Sequence, residues 1–598
     1  MPTSDAPLTA ALPPAGALGT SFATAAGLLI TVSAVLHGLA IIKAEPLQSA
    51  NDRSRWCTIR ALIEHGTYRI DAVRRIPGWD TIDLVYTGGH FYSSKPPLMV
   101  TWVAGVVWLI CRTTGWTFAG DMAAINAVTL LLIHGLPFVL GLVGFARWLS
   151  RRMESYHGAL FVLSVAAFGT LLSPFLTSLN NHSPAAAGVL LALLCWWRPA
   201  AKSTREGVLR FASWGFAASW AACHDLPAAA FTAVMLLAAI GVSPRFTLLC
   251  FIPAAALPVA GFFASNWAAI GSLAPAYSGY GGETYRFLYE GVPSYWLQPQ
   301  GVDRALDSPW VYLLNCTIGH HGWWSLTPVW CMAYWPGISS TRKFDARELQ
   351  IRWGTALISA VVLGFYLLRT ENYNYGGVSC GLRWALFLTP LWLMALAVSV
   401  DRMPPCRWRH GLAGCLLGIS VGAAWLPMSR PWQQPWAYQL AEHWNWTPTR
   451  DAPPALERRL FSWFAELPIA AAGQPSPWVE FTNESLPTSM ERLRLTLLED
   501  RVVGSRKCAL VGIERRRDDV LTESRQLLID RDRFNAGRPP AECLVWTDSN
   551  VTASQQQTDL AWFRGLPLMK EYAPGFERYV KLPLRSDAFA CQRVAAQC

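Results

Sequence analysis

From Ser21 to about Pro427 the chain keeps returning to apolar runs long enough to cross a bilayer; after Arg430 it reads like an ordinary water-facing domain. A helix needs about 20 mostly apolar residues to span the hydrocarbon, with about 17 as a lower bound. The segments that meet or approach this length are 21–42, 121–146, 157–178, 183–198, 209–223, 225–242, 247–269, 322–338, 353–368, 385–400 and 410–427. Backbone exposed to lipid has to satisfy its hydrogen bonds within its own segment, so these runs are read as helices. The fold expected is an all-α polytopic membrane core of about eleven transmembrane helices, residues 21–427, followed by a small α/β or α+β domain over 428–598. Residues 1–20 lack the basic n-region and small-residue cleavage site of a removable signal. They are read as a cytoplasmic tail before a retained first span.

Composition agrees. Charged residues make up 15% of the 598, against about 25% in a soluble domain. Thirty tryptophans suit interfacial belts, where an indole keeps its ring in lipid and its N–H in water. The net charge of +10 sits in short connecting loops. No basic patch interleaved with stacking aromatics occurs outside them, so no nucleic-acid partner is expected. Of the fourteen cysteines, Cys508, Cys543, Cys591 and Cys598 fall in the C-terminal domain, an even number that permits three pairings.

The stretch 98–111 is too short for a span and is followed by Arg112, which favours a re-entrant or interfacial helix. If it does not cross, the connections alternate. Arg147, Arg151 and Arg152 fall on one side with Arg198, Lys202, Arg205 and Arg210, with Arg342, Lys343, Arg347 and Arg352, and with Arg402, Arg407 and Arg409. Positive-inside orientation then puts the N-terminus in the cytoplasm and 43–120, 270–321, 369–384 and the C-terminal domain outside the plasma (inner) membrane.

Transporters place ionisable residues at mid-membrane on broken helices. Here the spans are nearly free of charge and the polar residues crowd the outer loops, which points to chemistry at the outer surface. The loop 43–120 opens with SANDRSRWCTIRALIEHGTYRI. Trp56, Ile59 and Ile63 share one face, as expected of a helix lying in the headgroup plane. Asp52 and Arg55 stand one turn apart at its start; an acid there is either a general base or a helix-capping group. The loop closes with HFYSSKPPLMVTW, in which Pro96 holds Lys95 extended at headgroup depth. Lys95 is read either as a phosphate ligand or as a snorkelling lysine.

This order of elements, with an Asp just after the first span, an interfacial helix and a (Y/F)-x-x-K-P-P motif, resembles the GT-C membrane glycosyltransferases, in particular the branch of protein O-mannosyltransferases and lipid A aminoarabinose transferases. The motifs that carry the resemblance lie within residues 50–98. It implies that Asp52 is the base and that Lys95 contacts the donor phosphate. Many relatives have Glu before that Lys, where this chain has Ser94.

Other outer residues fit a sugar-handling surface. The segment 277–312 is rich in aromatic residues, including Tyr285 and Trp296, which serve either for stacking sugars or as an aromatic belt. TENYNYGGVSCGLRW brings Tyr375, Arg369 and Arg383 to a side otherwise poor in basic residues, which reads either as an anionic partner, the donor phosphate for Arg383 with Lys95 and Arg55, or as an error in the assigned topology. His320 and His321 are substrate-binding candidates. As adjacent residues they project differently and make a poor chelate; convergence with His182, His224 and Asp225 leaves room for a divalent metal, although no metal ligand is assigned. Asp80 and Asp83 form a DxxD too common to carry a claim. The C-terminal domain is expected to have strands at CALVGI, CLVWTD and FERYVKL, and helices at ERLRLTLLED and DDVLTESRQLLIDRD.

The function expected is inverting transfer of a sugar from a polyprenyl-phosphate donor to a glycan, lipid or protein acceptor outside the membrane, without a required cofactor. The alternatives are a flippase or transporter of lipid-linked glycans, and a non-catalytic scaffold acting through the C-terminal domain.

Overall fold

The computed structural model describes residues 18–446, except 77, 290–291, 298, 300, 335–343, 405 and 445; after these it describes 479–483, 486–503, 506–517, 520–530, 544–545, 556–559 and 579–581. The expected tail therefore falls almost wholly outside the described residues, as do Cys543, Cys591, Cys598 and most of CLVWTD.

The first helix, α1 (Gly19–Ile42), leads into a loop-rich layer. That layer holds helix α2 (Ala50–His65) and a hairpin of β1 (Leu84–Thr87) and β2 (His90–Ser93), followed by α3 (Pro97–Thr114). The bundle continues with α4 (Met122–Arg152), which contains a π-turn at Leu131–Gly135, and α5 (Tyr156–Phe168). Next come α6 (His182–Trp197), α7 (Thr204–His224), α8 (Ala229–Val242) and α9 (Pro244–Ile270). It closes with α10 (Ala346–Leu367), α11 (Thr389–Val400) and α12 (Arg407–Trp425).

Six described helices are long and apolar enough to cross a membrane: Gly19–Ile42, Pro97–Thr114, Met122–Arg152, Pro244–Ile270, Ala346–Leu367 and Arg383–Val400. Tyr156–Phe168, His182–Trp197 and Leu226–Val242 are apolar but shorter. The expected count of about eleven is thus not reached on length and apolarity. Two of the expected spans are broken. Segment 157–178 ends as a helix at Phe168, before Gly169, and resumes only as the turn Leu172–Phe175. Segment 322–338 splits into Trp323–Leu326 and the tighter turn Pro328–Ala333, because Pro328 has no N–H to continue the first helix.

The helix surfaces carry the signature of lipid. The best windows of α1, α9 and α10 are 28%, 22% and 22% buried, whereas that of Arg383–Val400 is 94% buried, which makes it the central post of the bundle. Outward-facing Leu28, Leu237, Leu248 and Leu257 are well exposed. Close helix approach is set by small residues: a Cβ on Gly215 of α7 would fall 2.2 Å from the Phe251 carbonyl oxygen of α9.

Although α3 has spanning length, both its ends meet the same layer. Lys95, just before it, pairs with Asp83, and Phe118, just after it, packs edge-on against Trp79 and lies under the Arg60 guanidinium of α2. Between these ends Met99, Val103, Val107 and Ile110 are buried, while Trp108 and Leu109 are exposed. The helix thus lies along α2 with an exposed apolar back, and at 18 residues it is longer than the 98–111 stretch that is too short to span.

The loops segregate into two ends. At one end Glu348 is 1% exposed and holds both Arg152 and Arg402 in ion pairs. There Asp401 also accepts hydrogen bonds from the Glu154 and Ser155 amides, and Arg347 donates to the Trp197 carbonyl. These are the basic loops grouped on one side from charge alone. The opposite end gathers 43–121, the 271–321 loop, 369–384 and the start of the C-terminal segment, where Tyr438 of Trp436–His443 packs on His320 and His321.

Beyond residue 478 the described chain forms a five-stranded antiparallel sheet. Its strands are β3 (Val479–Asn483), β4 (Leu486–Val503), β5 (Arg506–Arg517), β6 (Val520–Asp530) and β7 (Tyr579–Lys581), in the order β6-β5-β4-β3-β7. Both helices expected here are strands instead. ERLRLTLLED alternates Leu493, Leu495 and Leu497 with Arg492, Arg494 and Thr496, the period of two that marks a half-buried strand. Beyond residue 478 the described residues are strand apart from 544–545 and a helical turn at 556–559.

Candidate functional site

The site is built where α2 meets the hairpin. The Ser49 side chain caps α2 by accepting from the Asp52 amide (3.1 Å), and Gly66 at φ +63° ends the helix in the left-handed conformation. The hairpin reverses through Gly88 and Gly89, at φ +57° and +80°, as a two-residue turn of this kind requires. Leu84 opposes Ser93, so the residues just outside the ladder, Asp83 and Lys95, are brought side by side. Their ion pair is 2.9 Å long, and the Ser94 amide donates to the Asp83 carbonyl (3.2 Å). The Ser54 hydroxyl of α2 donates to the same carbonyl (2.5 Å) and contacts the Ser93 hydroxyl (2.6 Å), which ties the hairpin to the helix.

Three cations converge here. Arg55 donates to the Asn51 carbonyl (2.9 Å) and to Asn181 Oδ1. Arg383 donates to Asn51 Oδ1 (2.8 Å) and stacks over Trp432, 5.2 Å from its ring centre. Asn51 therefore bridges two arginines, and Lys95 alone of the three cations has a carboxylate partner among the described residues. Burial lowers the Arg55 guanidinium to about 10, with Arg383 acting in the same direction. Burial also lowers Lys95 to about 8, opposed by Asp83. Arg55 and Arg383, close like charges held by neutral partners, favour an anion between them, while Asp83 offsets Lys95.

Asp52 is 1% exposed. Its Oδ2 accepts from the Gln48 amide (3.0 Å) and its Oδ1 from the Leu179 amide (3.1 Å). Burial raises its carboxyl to about 6, while these amides and Arg55 pull the other way. Asp52 thus pins the segment that delivers Asn181 to Arg55, and each oxygen retains a further lone pair.

Of the sequence-derived candidates, Asp52, Arg55, Lys95 and Arg383 form one group. Tyr285 and Trp296 adjoin it: Trp296 Nε1 donates to the Ile82 carbonyl (3.1 Å), and Tyr285, 2% exposed, packs on Trp296 and Tyr280. Burial raises the Tyr285 phenol, and Asp83 adds to the shift. Tyr375, His320 and His321 make a separate stack. Tyr375 lies face to face with His321 at 4.8 Å and bonds Asp307, and the two histidine Nδ1 atoms are 2.6 Å apart. No hydrogen bond or ring contact joins this stack to the cationic group among the described residues. Arg369 pairs with the exposed Glu371 instead.

His182 Nδ1 lies 2.7 Å from Asp225 Oδ2, next to Asn181. His224 turns away: its Nε2 accepts from Trp102 Nε1 (3.0 Å). Among the described residues no three His, Cys, Asp or Glu side chains are grouped to hold a metal ion. Sequence reasoning set Asp83 aside as part of a common DxxD and gave Asn51 and Asn181 no part in the site. Asp83 gives a usable signal, since it stands immediately before a strand whose partner runs into the Lys-Pro-Pro motif. The asparagines give none.

No family model matches the chain, and no curated protein does. Among solved structures it is similar to the archaeal oligosaccharyltransferase AglB from Archaeoglobus fulgidus, in complex with an inhibitory peptide and a dolichol-phosphate. The match has 12% identity and a TM-score of 0.31 and covers 71% of this chain. The chain spans 58% of the length of that protein. A likeness of that size carries no argument about this chain.

Proposed function

We propose that this chain is a membrane glycosyltransferase that moves a sugar from a polyprenyl-phosphate donor to an acceptor at the outer face of the plasma membrane. One observation carries the reading: Arg55, Lys95 and Arg383 converge where the apolar helices meet the loop layer. The site is pre-built for a lipid-borne anion, and its acids supply proton chemistry beside it.

In the reaction proposed, an acceptor hydroxyl attacks the anomeric carbon as the bond from that carbon to the phosphate oxygen breaks, with inversion. Asp52 takes the hydroxyl proton. The polyprenyl phosphate leaves as an anion held by Lys95, Arg55 and Arg383. For Asp52, 1% exposed, to meet the acceptor with its remaining lone pairs, the Leu179 segment has to give way. Tyr285 and Trp296 line the approach beside Asp83, where sugar rings stack.

The test is turnover by the purified full chain in nanodiscs, with a panel of radiolabelled polyprenyl-phosphate monosaccharides. Wild type should release or transfer the sugar of at least one donor, and Arg55→Met and Arg383→Met should each weaken its binding. If wild type bound no donor, the reading would be wrong.

A further inference from the structure

At the end of the bundle that carries the cationic group, two short helices each leave an apolar face exposed. The helix Pro309–Thr317 starts at Ser308, whose hydroxyl accepts from the Val311 amide (3.4 Å). Tyr312 and Cys316, one turn apart, are buried on its inner side. Trp310, Leu314 and Ile318 follow at a spacing of four on the opposite side; all three are exposed, Trp310 by 79%. The helix Trp436–His443 repeats the pattern. Tyr438 is buried, while Trp436, Leu440 and Trp444 are exposed at the same spacing on the other side. Trp446, just beyond, is 73% exposed, and its ring lies 4.7 Å from that of Trp444.

The inner sides of both helices close on one stack. Tyr312 stacks on Tyr373 (4.3 Å) and Tyr375 (4.9 Å), and Tyr438 packs edge-on against His320 and His321, which themselves lie against Tyr375. The Tyr373 hydroxyl donates to the carbonyl of Leu367, the last residue of α10 (2.6 Å). That bond sets the stack, and the helices on it, level with the end of α10. The outward side of α10 is itself apolar and exposed, through Leu357, Val361 and Phe365 as far as Leu368. The exposed faces of the two short helices therefore stand where the lipid-facing side of α10 ends. Apolar faces of this kind mark a contact surface, and indoles favour the boundary between hydrocarbon and water. Neither helix contains Lys or Arg, so the contact draws on apolar area and not on attraction to anionic headgroups.

We propose that Pro309–Thr317 and Trp436–His443, with the two tryptophans that follow, form a surface that rests in the headgroup layer of a phospholipid bilayer, with Trp310, Leu314, Leu440 and Trp444 turned toward the acyl chains. The proposal goes beyond the glycosyltransferase reading and does not depend on it. Trp446 is the last residue described before the C-terminal sheet, so this surface fixes the start of the C-terminal region at the membrane. Through Tyr312 and Tyr438 it also clamps the histidine–tyrosine stack from two sides.

The experiment puts the photoreactive residue p-benzoylphenylalanine in place of Leu314 or of Leu440, one at a time, in the full chain in phosphatidylcholine nanodiscs, and identifies the adducts by mass spectrometry. The same residue in place of Leu237 on α8 and of Val502 on β4, both exposed, gives the lipid-facing and water-facing references. Lipid adducts at 314 and 440 should form within about threefold of the yield at 237 and exceed that at 502 by about tenfold or more. Adducts with peptides of 447–598 would overturn the proposal in favour of cover by the C-terminal region. Adducts joining two copies would overturn it in favour of a dimer. Lipid yields no higher than at 502, or lipid capture at one position alone, would overturn it outright. Adducts that form only once phosphatidylglycerol is added would reassign the surface to anionic headgroups. No lipid adduct at 237 would overturn the membrane core and the proposal with it. Since no sugar donor is present, the other outcomes leave the glycosyltransferase reading where it stands.

Discussion

Asp52 and Lys95 are displaced toward each other in acidity, and that sets a pH window. The Asp52 carboxylate is ionised, and able to take a proton, above about pH 6; the Lys95 ammonium is charged, and able to hold a phosphate, below about pH 8. The rate with saturating acceptor is therefore expected to be bell-shaped, with kcat/KM for the donor falling below about pH 6 and again above about pH 8. A profile flat from pH 5 to 9 would rule these two groups out as the titrating pair. Asp52→Asn should reduce kcat by about 10²–10⁴-fold. It should also lower thermal stability, because an amide N–H would face a backbone N–H at Gln48 or Leu179. Lys95→Ala should weaken donor binding by roughly 10–100-fold, the value of a charge-assisted hydrogen bond of about 1.5–3 kcal/mol. At this scale Asp52, Arg55 and Lys95 were legible because the helix start and the Lys-Pro-Pro turn mark them in continuous stretches. Asn181 was not, because its meaning lies in a bond to Arg55 across 126 positions.

Elements that repeat a short period were readable, and those whose two periods compete were not. The face of α2 follows from Trp56, Ile59 and Ile63, and the start of α3 from its prolines, whereas its length exceeds the 98–111 read from the sequence. The 491–530 region misled because Leu-, Glu- and Arg-rich runs suit a helix by propensity, while their alternation suits a strand. Pairing of β4 with β5 and of β5 with β6 along most of their lengths decides the matter. The hairpin is the element on which the site depends most. Gly88→Val or Gly89→Val places a branched side chain at positive φ, a cost of about 1–2 kcal/mol. Since β1 and β2 position Asp83 and Lys95, either change should raise the donor KM several-fold while leaving helix content by circular dichroism unchanged. In the bundle, Gly215→Leu should prevent accumulation of folded protein, since the Phe251 carbonyl of α9 occupies the space a side chain needs; expression at wild-type level would show that the two helices can separate.

At the scale of the whole molecule, the grouping of loops into two ends follows from charge, whereas the number of spans does not, because Gly169 and Pro328 interrupt apolar runs that composition alone treats as continuous. The end opposite the site is held by Glu348 between Arg152 and Arg402. Removing one partner of a buried ion pair typically costs about 3–5 kcal/mol. Glu348→Leu should therefore lower the melting temperature in detergent substantially and leave donor KM unchanged in the surviving fraction. A change in KM with no loss of stability would mean that the two ends of the bundle communicate. The bond between Arg383 and Asn51 joins residues 332 positions apart, and this has a bearing on how the protein is made. At a synthesis rate of about 5–20 residues per second, the first loop is made roughly 20–70 s before the helix that bears Arg383. Until then Asn51 has no arginine from that helix to hold, and the group of three cations is incomplete. The cationic group is thus complete only when most of the apolar region has been made.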